Sequence, residues 1–154
     1  MNFNLVYDAN CPKELKAVLV PMFEQLHMLV PKWVEDVYVT FEDDQDKDYT
    51  VAETTSCVEY RRVFLRFYPD FLYERDDKLY QFAHELLHSI YGTVYQYAYS
   101  TFANLLSGDA DSRLQKQVAE QLRVYNESST QDLTNMVFNL LGVDKRTGKK
   151  AKKR

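Results

Sequence analysis

The sequence predicts a single α+β domain. Three observations carry that prediction: an apolar stripe of helical period over residues 12–30, three short strand-like runs between 37 and 68, and helical patterning from 77 to 141. The chain has 154 residues, 45% hydrophobic and 27% charged, which is ordinary usage for one folded domain. With 4 Gly and 4 Pro, a collagen-like or loop-dominated chain is excluded. No apolar run approaches the ~20 residues that a membrane helix needs.

The elements follow in order. Pro12 suits a first helical position. Leu15, Val18, Leu19, Met22, Phe23, Leu26, Leu29 and Val30 then mark one buried helix face. Pro21 is expected to kink that helix and Pro31 to end it. His27 beside the stripe reads as a structural or surface histidine. Val37–Phe41 and Arg62–Tyr68 alternate β-branched or aromatic residues with polar ones, and Tyr49–Ala52 is a weaker run. Short gaps between them predict a small, mostly antiparallel sheet. The acidic gap Glu42–Asp48 lacks the Gly and the Glu that a calcium loop requires at 49 and 55, where the chain has Tyr49 and Thr55. It reads as a solvated turn.

Asp76 or Asp77 caps a helix over about 80–106, with a break expected near Gly92. Ser107–Ser112 is a turn, and a last helix runs over about 112–141 to a terminator at Gly142. Residues 144–154 hold seven Lys or Arg against one Asp, net +6, which leaves −10 on the other 143 residues of a chain whose total is −4. The expected organisation is therefore one domain over 1–143 and a disordered basic tail over 144–154. An acidic body argues against nucleic-acid binding except through weak contact by that tail. Met1–Asn4 shows no basic segment leading into an apolar one, so no export signal is visible and a cytoplasmic location is expected. Cys11 and Cys57 are accordingly expected to be reduced.

The segment that carries chemistry is Phe82-Ala83-His84-Glu85-Leu86-Leu87-His88, an HExxH motif that uses two of the three histidines. Residues four apart share a helix face, so His84 and His88 can aim both imidazoles at one metal ion. Glu85 lies about 100° around the helix, within reach of a metal-bound water rather than of the metal. Two imidazoles suit zinc, and a carboxylate beside an activated water can act as general base.

A catalytic zinc site needs a third protein ligand. The extended HExxHxxGxxH pattern would need Gly at 91 and His at 94, where the chain has Tyr91 and Val94. Cys57 is a poor fit upstream. The downstream carboxylates Asp109, Asp111, Glu120 and Glu127 are the candidates. Glu120 and Glu127 are seven residues apart on one helix face, and periodicity does not choose between them. Tyr91 and Tyr95 continue the His84–His88 face as candidate hydroxyl donors to a developing oxyanion.

Strands, an HELLH helix, and a long helix bearing Glu-x-x-Thr-x-x-Leu together resemble the small zincin-like metallopeptidases of phage and prophage genomes. In that group the downstream glutamate helix often carries two adjacent Glu. The matching stretch here is Asn126–Leu133, with Asn126 at the first position and Glu127 at the second. The resemblance covers about residues 33–140. It implies a zincin-like fold, a gluzincin-like site with His84, His88 and Glu127 on zinc, Glu85 as general base, and a peptide or protein substrate. It also implies a host-cell cytoplasmic location for a phage-encoded chain. Two other readings predict different behaviour. A zincin-fold protein of phage origin that binds or builds without turnover would keep the metal and be indifferent to Glu85→Gln. A metal-free helical interaction module would bind no zinc.

Overall fold

The computed structural model of the chain describes residues 3–43, 50–105 and 112–150. The elements are β1 (Asn4–Tyr7), α1 (Lys13–Leu26, prolonged by a 3-10 turn His27–Leu29), β2 (Asp36–Phe41), β3 (Ala52–Cys57), β4 (Arg62–Phe67), α2 (Pro69–Tyr73), α3 (Lys78–Leu105) and α4 (Ser112–Leu141). The architecture is α+β around a four-stranded sheet of order β1-β2-β4-β3.

The sheet is mixed. β1 pairs β2 and β2 pairs β4 in parallel, while β3 pairs β4 antiparallel with Ala52 opposite Phe67 and Cys57 opposite Arg62. This corrects the expected mostly antiparallel meander, and it adds β1, which the sequence reading missed. Composition explains the order. In β4, Val63, Leu65 and Phe67 are at most 1% exposed, and so apolar a strand takes an interior place with a partner on either side. The polar β3, with its Glu, Thr and Ser, is left at the edge. Arg61 turns β3 into β4 with a left-handed φ of 55°. It is held there by hydrogen bonds from its N–H to Val58 O at 3.0 Å and from its Nε to Trp33 O at 2.9 Å, and by an ion pair with Glu35.

One face of the sheet carries the core. Leu15, Leu19, Phe23 and Leu26 of α1 are fully buried at spacings of four, four and three, as the stripe predicts. They meet Val37, Val39, Leu65 and Phe67 of the sheet and Phe82, Ala83 and Leu86 of α3. Phe23 and Phe82 pack edge-on with ring centroids 4.7 Å apart. Pro21 falls on the exposed side of α1, where a missing N–H is tolerated and the helix continues. Pro69 opens the short α2, which buries Phe71 and Leu72.

α3 runs without interruption through Gly92. A Cβ there would stand 3.3 Å from Ser56 Oγ, so the glycine lets β3 approach the helix and does not break it. α4 ends at Gly142 with φ 61°. Val143 N–H bonds Phe138 O at 3.1 Å and Gly142 N–H bonds Asn139 O at 3.2 Å, a Schellman closure.

Residues 144–150, the start of the basic tail, form a turn. Asp144 Oδ1 accepts from the N–H groups of Arg146 and Thr147 at 3.0 and 2.9 Å, and Val143 bridges Lys150. The closed turn sets Gly148 against Leu79. Side-chain-to-backbone bonding orders this segment without an apolar residue. Residues 151–154, residues 44–48 of the acidic gap, Tyr49 of the weak strand run, and 106–111 with most of the expected Ser107–Ser112 turn lie outside the described residues. No helix among the described residues is long and apolar enough to cross a membrane.

Candidate metal centre

α3 starts behind Asp77, whose main-chain oxygen accepts from the N–H groups of Tyr80 and Gln81 at 2.9 and 3.1 Å. Its carboxylate accepts from Gln81 Nε2 at 2.9 Å. Two turns on, Leu86 and Leu87, each 1% exposed, seat the helix in the interior. That seating fixes the rotation of α3 and hence where His84, Glu85 and His88 point. The three are grouped closely enough to hold a metal ion.

α4 packs antiparallel against α3 and adds Glu127. His84 Nε2 and His88 Nε2 are 3.0 Å apart, and Glu127 Oε2 stands 3.4 Å from the first and 3.5 Å from the second. Donors at about 2.0–2.2 Å from a tetrahedral ion are about 3.3–3.6 Å from one another. The two histidine–Glu127 separations fall in that range and the histidine–histidine separation is shorter, so the three atoms stand close enough together to face one ion. Glu127 is held ionised, its pKa pulled far below the usual carboxylate range by hydrogen bonds to His84 and His88. Burial lowers the pKa of His88, but the Glu127 hydrogen bond and the charges of Glu85 and Glu127 outweigh it and the net shift is upward.

His88 is steered from behind by α4. Its Nδ1 lies 3.2 Å from Thr130 Oγ1 and 3.2 Å from the amide of Asn126. Asn126 Oδ1 is buried without a hydrogen-bond partner. An amide's oxygen and nitrogen share one outline, and turning it end for end lets Oδ1 accept from His88 Nδ1–H. With Nδ1–H held there, Nε2 is the nitrogen that donates to Glu127, and loss of its proton would free its lone pair for an ion. Buried His84 Nδ1 has no hydrogen-bond partner among the described residues.

Glu85 belongs to the same group, its carboxylate within 4.8 Å of the histidine nitrogens. It is 6% exposed, and its carboxylate meets Thr54 Oγ1 of β3 at 2.7 Å. Burial pushes its pKa up, against the opposing pull of the His88 charge and the Thr54 bond. The arrangement sets a buried carboxyl beside the histidine nitrogens and the Glu127 oxygen. All of these open into a cleft of about 570 Å³, walled by β3 on one flank and by Asn126 and Glu127 on the other, with Arg75 and Arg123 at its rim.

The remaining sequence candidates separate. Glu120 is exposed and binds Arg123 through two contacts, Nε–Oε2 at 2.9 Å and Nη2–Oε1 at 2.6 Å, away from the histidines. Cys57 ends β3 opposite Arg62, outside the cleft. Asp109 and Asp111 lie outside the described residues. Tyr91 and Tyr95 line a different cavity of about 160 Å³ with Leu122 and Tyr125, so the structure does not place them in the cleft as oxyanion donors. Thr54, Asn126, Thr130 and Arg123 were missed. Two of them left a trace in the sequence: Asn126 and Thr130 share a helix face at i, i+4.

No protein-family model, curated protein or solved structure matches this chain.

Proposed function

We propose that the chain is a zinc metallopeptidase of zincin-like architecture, with His84, His88 and Glu127 holding the ion and Glu85 as general base. The observation that carries this reading is the 3.0, 3.4 and 3.5 Å triangle of donor atoms with a buried carboxyl one residue away. Two imidazoles and a carboxylate with a fourth position facing a cleft are the donor set of catalytic zinc. Bound there, zinc supplies a Lewis acid and makes coordinated water easier to deprotonate.

The protein's own residues do the rest. Glu85 accepts the proton of the attacking water and later delivers it to the leaving nitrogen as the C–N bond breaks. Burial, which brings its two protonation states closer in energy, suits it to both halves of that task. Asn126 and Thr130 keep His88 in the tautomer with Nε2 free. β3 is an edge strand along the cleft, so an extended peptide can join it by main-chain hydrogen bonds and lie past Glu85.

The test is elemental analysis of wild type, His88→Ala and Glu127→Ala, with Glu85→Gln as the activity control. About one zinc per chain in wild type and Glu85→Gln is expected, with loss in the other two and turnover of a peptide mixture in wild type alone. A wild type without metal after refolding with zinc overturns the reading. Zinc with no turnover leaves a binding protein, and zinc retained in Glu127→Ala removes Glu127 from the ligand set.

A further inference from the structure

The geometry points to Thr54 as the positioning residue of Glu85: its hydroxyl grips one carboxylate oxygen, Oε2, and leaves the other to work on the cleft. This inference rests on the peptidase reading. A glutamate has three rotatable side-chain bonds, and a general base aimed loosely loses rate steeply. Burial restricts Glu85 but does not choose between its two oxygens. Thr54 does, because its Oγ1 lies 2.7 Å from Oε2 and 2.9 Å from the main-chain oxygen of the same residue. The hydroxyl is within hydrogen-bond reach of both, and its single hydrogen serves one of them at a time.

Thr54 is well built for the task. It sits mid-strand, paired with Leu65, on the side of β3 that also places Ala52 and Ser56 at 8% and 4% exposure. A β-branched side chain on a strand has little freedom at χ1. The hydroxyl has one hydrogen and can also accept. With Glu85 ionised, that hydrogen serves the carboxylate. With Glu85 carrying the proton, the carboxyl donates to Oγ1 and the threonine hydrogen turns to the main-chain oxygen. The contact survives the transfer in both directions. It also ties the base to the edge strand that a peptide would join, so occupancy of the strand and aim of the base share one link.

The test uses the full chain loaded with cobalt(II), whose visible spectrum reports the groups around the ion, and compares Thr54→Val, Thr54→Ser and Glu85→Gln. Valine keeps the shape and removes the hydroxyl, whereas serine keeps the hydroxyl. All four proteins are expected to bind one cobalt per chain. Thr54→Val should move the spectrum toward that of Glu85→Gln and lower kcat on a quenched-fluorescence peptide mixture about 10–100-fold at unchanged KM. Thr54→Ser should restore both. If Thr54→Val loses cobalt, Thr54→Ala carries the same comparison. A hydroxyl-free variant with wild-type spectrum and kcat, beside a distinct Glu85→Gln, overturns the assignment. So does a Glu85→Gln spectrum identical to wild type. A wild type that binds cobalt but cleaves no peptide overturns the peptidase reading alone, and the spectra still decide Thr54. A wild type that binds no cobalt overturns both.

Discussion

The two halves of α3 are alike in composition and unlike in surroundings. Over 78–89 the helix lies between the sheet and α4, and Tyr80, Phe82, Ala83, Leu86, Leu87 and Ser89 are buried. Over 90–104 no residue is buried, and Val94 and Tyr97 are 67% and 76% exposed. α4 mirrors this: Thr130, Thr134 and Phe138 are buried beside the first half, and Tyr125 is 69% exposed beside the second. A helix pair alone closes one side of each helix, whereas a sheet alongside closes a second. The donor atoms sit at the edge of the doubly covered half, where side chains are fixed yet one side opens to the cleft. The lesson is that α3 holds its histidines rigidly because of what packs around it, since its apolar content does not change where the burial stops.

The largest expected effect breaks the buried half at the site. His88→Ala should drop bound zinc from about one per chain to a trace, whereas Tyr97→Ala should leave it untouched; elemental analysis of both decides. Next comes packing. Leu86→Ala should destabilise by about 2–5 kcal/mol as a cavity opens in the covered half. Val94→Ala in the uncovered half should stay within about 0.5 kcal/mol, both read by urea titration. The contrast sharpens at His88: Asn126→Ala should weaken zinc about 10–100-fold in a chelator competition, with the fold unchanged by circular dichroism. A further change tests the C-terminal turn. Gly148→Ala forces a side chain into φ 64° with its Cβ 3.0 Å from Leu79 Cδ2, and should cost about 1–2 kcal/mol by thermal melting.

Much of this was legible locally. The stripe of α1, the strand runs near β2 and β4, the two long helices and the Gly142 terminator are periodicities and cap residues within a few positions of one another. β1 was missed because four residues, Asn4–Tyr7, carry too little pattern. The break at Gly92 was misread because a glycine's reason lay 36 positions away, at Ser56. Asp144, which accepts from the N–H groups of Arg146 and Thr147, is hard to pick out of a basic composition.

By itself the sequence determined that two imidazoles four residues apart face one way with a carboxylate next to them, since helix geometry alone sets that relation. It also determined that Glu120 and Glu127 share a face of the last helix, but not which of them meets the histidines. Tertiary structure decided that choice for Glu127, because the seating of α3 against α4 fixes which turn of one helix lies opposite which turn of the other. It also decided that β3 lies at the edge and offers Thr54 to Glu85. Strand order comes from competition among strands for the buried centre of the sheet, a property of the whole chain that no single segment carries.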